Sequence, residues 1–400
     1  MQCGSHTKNF YSVFLSLLIA AAIAVMCSVP VYASTFSGGD GSIANPYQIS
    51  SKADLQQLAT DVNGGNSYEG KYFTLTKNID LGGTSWTPIG VYSFPFSGSF
   101  DGNDKAISGL YVNSADCYDA GLFGALSGKE AFIENLTVSG TVICSDDGGI
   151  AGLIVGNSEY GKILHCKVSG TVTSAFWAGG IAGGNYCGSI ENCEAAAVTI
   201  TAKNTVWGTY AGGIAGCNEG DGNGSAALIS NCSVTSSSVT VGDYNGTSSV
   251  SSAGGISGYS DQGSSIESCS VSGTDIKGGS KTAGGDAAVN GVNIGGIAGY
   301  LTDPETEIKN CTVTASTVTG GNCSCVGGVA GYASKDVSLS GNTVDTATQR
   351  NVTGGTGSKI SKAGTGSDNT DGSGGTSSCN AGFGALALLA VLPLAWRRKK

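Results

Sequence analysis

Two short motifs alternate along the middle of the chain, each built on a few apolar positions. The first surrounds one large apolar side chain with small residues, as in "AGGIAGG" from Ala178, "AGGIAGC" from Ala211 and "AGGISGY" from Ala253. Its central apolar residue recurs at Leu122, Ile150, Ile181, Ile214, Ile256, Ile297 and Val329. The second motif follows the first and reads "IENCEA" from Ile190, "ISNCSV" from Ile229, "IESCSV" from Ile266 and "IKNCTV" from Ile308. This alternation, at steps of 28 to 42 residues, predicts a solenoid that adds one coil per repeat.

The spacing inside the second motif indicates which solenoid this is. Side chains alternate between the two faces of a strand, so Ile190 and Cys193 can both face the interior only if the chain bends between them. Asparagine enters the left-handed conformation of such a bend more readily than most residues. Corners are therefore predicted at Asn135, Asn192, Asn231 and Asn310. With no helical period here, we predict an all-β fold, a right-handed parallel β-helix whose coils stack roughly 4.8 Å apart.

Equivalent positions of successive coils should stack into columns. The residue after each corner is Leu110, Leu136, Cys166, Cys193, Cys232, Cys269 and Cys311. Free cysteine behaves as a small buried hydrophobe, so we expect a structural ladder of free thiols. Disulfides within the ladder are disfavoured because side chains on stacked parallel coils give poor S–S dihedral angles. Zinc is disfavoured because the sequence has no C-x-x-C pair.

Three tyrosines form a second expected column. Tyr259, Tyr300 and Tyr332 occupy the same position in three successive glycine motifs, so their side chains should lie on adjacent coils. Two interpretations stay open at this point. The column is either a structural stack or an exposed aromatic row that binds a sugar chain.

Both ends of the chain carry features of processing signals. The apolar run from Val13 to Val25 is followed by the tripeptide "VYA", which places small residues where a signal peptidase cleaves. We predict a signal peptide over residues 1–33, cut between Ala33 and Ser34. The alternative, a lipoprotein anchored at Cys27, lacks the small residue expected before the cysteine.

The C-terminal segment "SSCNAGFGALALLAVLPLAWRRKK" joins an apolar run to a basic cluster. The run, Ala381 to Trp396, is short for a stable span, and the basic end should stay cytoplasmic. The segment 379–400, together with Gly374 and Gly375 just upstream, resembles the Synergist-CTERM sorting tail of bacterial surface proteins. That resemblance implies arrest in the membrane, cleavage near Cys379 by a sorting protease, and an anchored position at the cell surface or outer envelope. A plain membrane anchor is the alternative.

Between these end segments the pattern divides into three parts. Residues 34–70 contain apolar side chains at helical spacing, Leu55, Leu58, Ala59 and Val62. Ser51 lies three positions before Asp54 as a capping box, and this short amphipathic helix should cap the N-terminal end of the solenoid. The β-helix is predicted over residues 71–345. Residues 346–378 are rich in Gly, Ser, Thr and Asp, which favours a flexible stalk.

Composition narrows the classes of function. The chain has 66 glycines in 400 residues and only 12% charged residues, unlike an average globular enzyme. Its formal net charge is −10, and because the two end segments hold basic residues only, the part between them is more acidic still. Binding to nucleic acid is not expected, since phosphate contacts need a basic surface.

Candidate catalytic groups are sparse. A metalloprotease site needs H-E-x-x-H, and the only histidines are His6, in the signal segment, and His165, at a corner position. A polysaccharide lyase or glycosidase needs carboxylates that converge on one point, whereas the adjacent Asp146 and Asp147 point in opposite directions in a strand. The acidic glycine turns at 101–104 and 218–224 match no recognised calcium loop. The sequence therefore predicts no enzyme, no cofactor and no metal site.

Several longer stretches resemble one known family. "NPYQISSKADLQQLATDVNGG", "KYFTLTKNIDL", "WTPIG", "FDGNDKAISGL" and "AGLFG", followed by the glycine motifs, are similar to bacterial surface proteins with GLUG motifs over residues 37–345. The resemblance implies a β-helical, adhesin-like exoprotein. Such repeats also flank the catalytic domains of bacterial IgA-specific metalloproteases.

These observations predict a non-catalytic protein of the cell surface. Its β-helix would present a surface for adhesion or cell-envelope interaction, with host or community glycans or matrix proteins as partners. A polysaccharide-active β-helix enzyme, lyase or glycosidase, is one alternative. A structural coat component that assembles with itself is the other.

Overall fold

The computed structural model describes residues 36–114, 118–203, 208–246, 249–281, 291–322, 324–334, 336–354 and 359–361. All of them belong to one compact unit. None of the helices within those ranges has the length and apolar content of a membrane-spanning helix. The predicted signal peptide, the processing positions Ala33, Ser34 and Cys379, the sorting segment and most of the predicted stalk lie outside the described residues.

The fold is a parallel β-helix, which confirms the predicted class. The chain passes through three sheets in turn and then pairs in parallel with its own previous coil. One coil runs through Tyr210–Gly212, Ala215–Glu219, Leu228–Ser230, Ser233–Thr235 and Ser238–Val241. Equivalent residues of successive coils stand side by side, as Ile229 stands beside Ile266.

The described strands form three sheets, to which we give fixed names. The large sheet has 21 strands among the described residues: Tyr47–Ile49, Tyr72–Leu75, Ile79–Asp80, Ser99–Ser114, Phe132–Cys144, Lys162–Leu164, Lys167–Ser174, Ser189–Glu191, Glu194–Ala202, Leu228–Ser230, Ser233–Thr235, Ser238–Val241, Ser265–Glu267, Ser270–Ser272, Asp275–Gly278, Glu307–Lys309, Thr312–Thr314, Thr317–Gly320, Ser338–Ser340, Thr343–Val344 and Val352–Gly354. The entry sheet contains Asp119–Ala120, Ile150–Ala151, Trp177–Gly179, Tyr210–Gly212, Ser251–Gly254, Val292–Gly295, Ser324–Gly327 and Lys359–Ser361. The middle sheet contains Phe123–Ser127, Val155–Glu159, Ala182–Tyr186, Ala215–Glu219, Ser257–Asp261, Ala298–Leu301 and Ala330–Ala333.

The glycine motif forms the bend between the entry sheet and the middle sheet. In "AGGIAGC", Ile214 lies in the bend with its side chain fully buried in the core. Its N–H donates a hydrogen bond to the carbonyl of Ile256 in the next coil at 3.0 Å. A Cβ on Gly213 would lie 2.2 Å from the carbonyl oxygen of Gly255, so the close approach of neighbouring bends requires glycine here.

The bends within the large sheet occur at residues in the left-handed conformation. The φ angles of Asn135, Asn192, Asn231 and Asn310 lie between 51° and 56°. His165 and Ser268 adopt the same conformation at the equivalent place in their coils, with φ of 51° and 53°. Because of this bend, Ile190 and Cys193 both point into the interior, where they are 0% and 2% exposed.

Helix α1 (Lys52–Asn63) precedes the first full coils and confirms the predicted cap helix. Ser51 is the N-cap, and its hydroxyl accepts a hydrogen bond from the Asp54 N–H at 3.2 Å. Asp54 Oδ2 in turn accepts bonds from the Ser50 N–H and the Ser51 hydroxyl, both at 2.9 Å. The buried face of the helix belongs to the same apolar core as the first strands of the large sheet.

The solenoid continues past residue 345, where the sequence analysis placed the start of a flexible stalk. Helix α2 (Thr346–Arg350) is followed by one more strand of the large sheet and one more strand of the entry sheet. Val352 fills a core position with no exposed surface, and Thr348 Oγ1 accepts the N–H of Ser316 at 3.0 Å. Val352 and Thr348 are the buried side chains in the described part of this segment. Because they are so few, the composition of the segment does not indicate that it folds.

Candidate functional site

Five aromatic rings from five successive coils stack in one column along the bend between the entry sheet and the middle sheet, and Phe176 stacks on the first of them, Trp177, at 5.0 Å and 20°. Trp177 and Tyr210 belong to the entry sheet, whereas Tyr259, Tyr300 and Tyr332 belong to the middle sheet. Successive ring centroids are 6.0, 4.7, 6.0 and 5.0 Å apart, and successive ring planes are tilted by at most 20°. We call this set the aromatic column. The three tyrosines singled out from the sequence therefore stand on adjacent coils at one register.

The two sheets supply rings to the aromatic column in turn. Where the entry sheet supplies Trp177, the middle sheet has Gly184, and a Cβ there would lie 3.4 Å from the indole ring. Where the middle sheet supplies Tyr300, the entry sheet has the fully buried Asn293 in the same coil. Each coil thus places one ring in the angle between the sheets, opposite a smaller residue, which keeps the packing dense.

The stacking limits what the aromatic column can bind. Tyr259 and Tyr300 each have a ring on both sides, and Tyr259 and Tyr332 are only 7% and 6% exposed. An aromatic face that is covered by another ring is closed to a sugar ring. The geometry is that of a structural stack, and the exposed aromatic row considered from the sequence is not what these residues form.

Two buried carboxylates lie beside the aromatic column on adjacent coils. Glu219 and Asp261 are in register and only 5% and 8% exposed. Asp261 accepts hydrogen bonds from the Tyr259 hydroxyl at 2.6 Å and the Thr302 hydroxyl at 2.7 Å, and Glu219 accepts one from the Gln262 amide. Burial, together with the neighbouring Asp261 carboxylate, raises the pKa of Glu219 to about 8. A carboxyl group that is protonated near neutral pH can donate a proton or a hydrogen bond.

Sequence reasoning missed this carboxylate pair because its members lie in different repeats. The sequence analysis tested Asp146 and Asp147, which are adjacent in the chain, whereas Glu219 and Asp261 become neighbours only through the stacking of coils. Both residues stand five positions after the central isoleucine of their glycine motifs. An alignment of the motifs by that isoleucine would have revealed the pair.

The five cysteines of the predicted ladder stack in the core as free thiols. Cys166, Cys193, Cys232, Cys269 and Cys311 are at most 2% exposed. The N–H groups of Cys166, Cys193 and Cys269 donate to the Sγ atom of the next ladder cysteine at 3.4 to 3.5 Å. In the last coil the Oδ1 atom of Asn342 takes the place of a thiol and accepts the Cys311 N–H at 2.9 Å. Burial raises the pKa of Cys193 well above its usual range, so its thiol stays protonated.

The outer surface of the large sheet carries two rows of hydroxyl groups, which we call the hydroxyl face. Its members are Thr171, Thr173, Thr199, Thr201, Ser238, Thr240, Thr317 and Thr319. Equivalent positions are in register from coil to coil, and the residues between them, such as Ile200, are buried in the core. One coil interrupts the rows with Asp275 and Lys277, whose side chains form an ion pair at 3.0 Å. The other coils of the face are uncharged.

The remaining sequence candidates are engaged in local structure. His165 occupies a left-handed corner. Asp146 Oδ1 accepts the N–H of Gly148 at 2.9 Å, and Asp221 Oδ1 accepts the N–H groups of Asn223 and Ser225 at 2.7 and 2.9 Å. Among the described residues, no group of three or more His, Cys, Asp or Glu side chains is arranged to hold a metal ion.

Comparison with known proteins identifies the repeats. The model of the GLUG motif matches residues 249–277 and 290–319, which contain the glycine motifs centred on Ile256 and Ile297. A Gly-rich membrane protein of Evansella cellulosilytica is 34% identical over 142 residues, which cover 34% of this chain and 16% of that protein. Halomucin of Haloquadratum walsbyi is 33% identical over 155 residues, which cover 36% of this chain and 2% of that protein. The chain thus matches a small part of these relatives, and the matches support a surface-protein repeat family.

Two solved structures match the chain at a low level of similarity. A candidate immunoglobulin A1 protease from Bacteroides ovatus is 20% identical, with 82% of this chain and 87% of that chain covered and a TM-score of 0.45. A structure named IgA1 protease is 16% identical, with 75% and 21% covered and a TM-score of 0.39. These names contradict the prediction that the chain is not an enzyme, and that prediction is withdrawn. Similarity at this level transfers no activity to this chain.

Proposed function

We propose that the chain works at the cell surface, where its β-helix presents the hydroxyl face to a glycan or a matrix protein. The GLUG match and the relatives named as a membrane protein and a halomucin support the location. The predicted signal peptide and sorting tail agree with it. The observation that carries the binding role is the hydroxyl face itself, which stays free of charge over three consecutive coils from Thr171 to Thr240 in a chain of net charge −10.

The chemistry of the hydroxyl face suits a neutral polymer. Each hydroxyl can donate and accept a hydrogen bond. The groups repeat about every 4.8 Å from coil to coil and about every 7 Å along a strand. A polymer with regularly repeated polar groups can engage many of these hydroxyls at once, so weak single contacts add up to useful affinity.

The aromatic column has a supporting role in this proposal. Tyr259, Tyr300 and Tyr332 fill the angle between the two smaller sheets and stiffen the solenoid. Their ring faces are not needed for the ligand.

A binding screen tests the proposed function. The full chain is incubated with an array of neutral and acidic glycans, with insoluble polysaccharides and with purified matrix proteins, at low and high salt. We expect saturable binding to a neutral polymer that changes little with salt, because the hydroxyl face has no net charge. Binding that collapses in salt would contradict the proposal. Filament or sheet formation by the protein alone, with no ligand retained, would favour the structural coat instead.

A polysaccharide-active enzyme is the second candidate, and the Glu219–Asp261 pair favours it. Glu219, which burial keeps protonated near neutral pH, lies next to a second carboxylate, and acid catalysis on a glycosidic bond uses such a pair, although both groups are at most 8% exposed here. The test is the release of reducing ends or unsaturated products from a polysaccharide panel. Activity that Glu219→Gln abolishes without loss of folding would establish this candidate, and activity unchanged in Glu219→Gln would remove the pair from consideration.

A further inference from the structure

A small cavity lies at the N-terminal cap, apart from the hydroxyl face. Its volume is about 200 Å³, and it lies between helix α1 and the segment Ser85–Thr87. From the helix, Gln56, Thr60 and Asn63 line it, and from the segment, Ser85, Trp86 and Thr87. We call it the cap pocket. Its volume is below the ~300–1,000 Å³ of pockets for drug-sized ligands, so it suits one small ring.

The walls of the cap pocket are held in place by hydrogen bonds. The Asn63 amide donates to the carbonyl of Pro88 at 3.1 Å, and its oxygen accepts the N–H of Gly90 at 2.9 Å. The Trp86 indole N–H donates to the carbonyl of Leu122 at 3.0 Å, and the ring is only 4% exposed. A pocket whose walls are fixed before binding loses little conformational entropy when a ligand enters.

The groups that remain for a ligand are uncharged. Gln56, Ser85 and Thr87 are exposed, and within the described part of the chain their side chains make no hydrogen bond to protein. An amide and two hydroxyls offer both donors and acceptors, the combination that matches the hydroxyl groups of a sugar. The lining contains no carboxylate or ammonium group to neutralise a charged ligand.

An exposed aromatic hairpin is tied by a hydrogen bond to Asn63, one of the residues that line the cap pocket. Val91 and Phe94 pair through backbone hydrogen bonds of 3.1 and 2.9 Å, and Gly90 ties the hairpin to Asn63. Tyr92 and Phe94 are 36% and 48% exposed. The Phe94 ring lies near the end of helix α1. A Cβ built on Gly65, just after the helix, would be 3.8 Å from that ring. A second sugar unit leaving the pocket would meet these apolar rings, which can cover the apolar face of a sugar.

From these contacts we propose that the cap pocket binds one residue of a neutral glycan, and that Phe94 and Tyr92 contact the next residue. Gln56, Ser85 and Thr87 supply the hydrogen bonds to the first sugar. The site is separate from the hydroxyl face, so it adds a second glycan contact to the proposed function and does not depend on it.

The test uses the full chain and defined sugars. Binding of glucose, galactose, mannose and N-acetylglucosamine, and of their β-linked disaccharides, is measured by ligand-observed NMR and calorimetry. We expect a millimolar Kd for at least one monosaccharide, and about five-fold weaker binding for each lost hydrogen bond in Gln56→Ala and Thr87→Ala. Phe94→Ser should weaken a disaccharide more than the monosaccharide.

Matched variants make the test decisive. Gln57→Ala changes the neighbouring residue of the same helix, whose amide bonds Asp61 at 2.8 Å, and Ile43→Ser removes another exposed apolar side chain, 72% exposed. Both should bind sugar as the unmodified chain does, as should the hydroxyl-face variant Thr199→Glu/Thr201→Glu. The absence of binding to every sugar tested, or an equal loss in Gln57→Ala and Gln56→Ala, would overturn the proposal. Polymer binding that the hydroxyl-face variant leaves unchanged would count against the proposed function alone, because the cap pocket would still bind its sugar.

Discussion

Tyr210 and Tyr259 stack face to face with centroids 4.7 Å apart and ring planes 13° from parallel, although they come from different sheets of successive coils. The aromatic column crosses here from the entry sheet to the middle sheet. The position in register with Tyr210 is held by Ser252, and the position in register with Tyr259 is held by Cys217. The two sheets are therefore bound together outside the main core as well as inside it.

Removal of one ring from the aromatic column should destabilise the solenoid. We expect Tyr300→Ala to lower the free energy of unfolding by about 3 kcal/mol, because it leaves a cavity between two stacked rings. Tyr118→Ala, at a residue 47% exposed, should cost far less. Denaturant unfolding followed by circular dichroism measures both. If Tyr300→Ala unfolded like the unmodified chain and instead lost glycan binding, the column would be a binding row after all.

The glycine of the bend should not tolerate a branched side chain. We expect Gly213→Val to lower the free energy of unfolding by about 3 kcal/mol or more, because its Cβ would clash with the Gly255 carbonyl in the next coil. Ser233→Val places the same side chain on the outer surface of the same coil and serves as the control. An unchanged melting temperature for Gly213→Val would contradict the close stacking of the bends.

The left-handed corners offer a stabilising substitution. Ser268 has φ of 53° where four other coils have asparagine. Because asparagine tolerates this conformation better, Ser268→Asn should raise the free energy of unfolding by about 0.5 kcal/mol. Ser270→Asn, two residues later in a strand, should give no gain. A melting curve that shows equal shifts for both variants would speak against the corner explanation.

Much of the fold could be predicted because the repeat fixes equivalent positions. The period of the glycine motif indicated one coil per repeat. The bend between Ile190 and Cys193 could be predicted from the alternation of side chains in a strand alone. The final coil escaped prediction because a single Val352 and the hydroxyl of Thr348 hold it, and neither stands out in a Ser/Thr-rich stretch.

The candidate site was harder to predict than the fold. That three tyrosines share a register could be read from the sequence, but whether their ring faces are covered depends on the angle between two sheets. Trp177 and Tyr210 also belong to the column, but they lie in strands of the entry sheet. An alignment of the glycine motifs therefore does not place them at the position of the three tyrosines. The Glu219–Asp261 pair depends in the same way on stacking between repeats rather than on neighbours in the chain.

Glu219 should make stability depend on pH. Its pKa is about 8 in the folded chain and near the usual 4.5 in the unfolded chain, so the folded state holds the proton more tightly. The contribution of Glu219 to stability should therefore be complete below about pH 4.5 and be lost as the pH rises towards 8, by up to about 1.4 kcal/mol per unit of pKa difference. Glu219→Gln should remove this slope, and Glu69→Gln, at an exposed residue, should keep it. Unfolding titrations from pH 5 to pH 9 provide the measurement; identical slopes in all three proteins would contradict the assignment.

The cysteine ladder should be unreactive while the chain is folded. Cys166, Cys193, Cys232, Cys269 and Cys311 are buried, so we expect them to resist iodoacetamide in the native protein. In denaturant without reductant, all five should be alkylated, which peptide mass spectrometry can count. Peptides linked by a disulfide between ladder positions would contradict the free-thiol column.

The most direct test of the account is the binding of a neutral glycan polymer to the hydroxyl face. The polymer found in the screen is titrated against the unmodified chain, against Thr199→Glu/Thr201→Glu, and against Ser233→Glu on a neighbouring strand of the large sheet. The account predicts at least about ten-fold weaker binding for the double variant, because the two added charges would have to lose water, without a partner, when the polymer covers the face. Ser233→Glu should bind as the unmodified chain does, with all three proteins melting alike. Equal affinity for all three would contradict the central claim that this face is the binding surface.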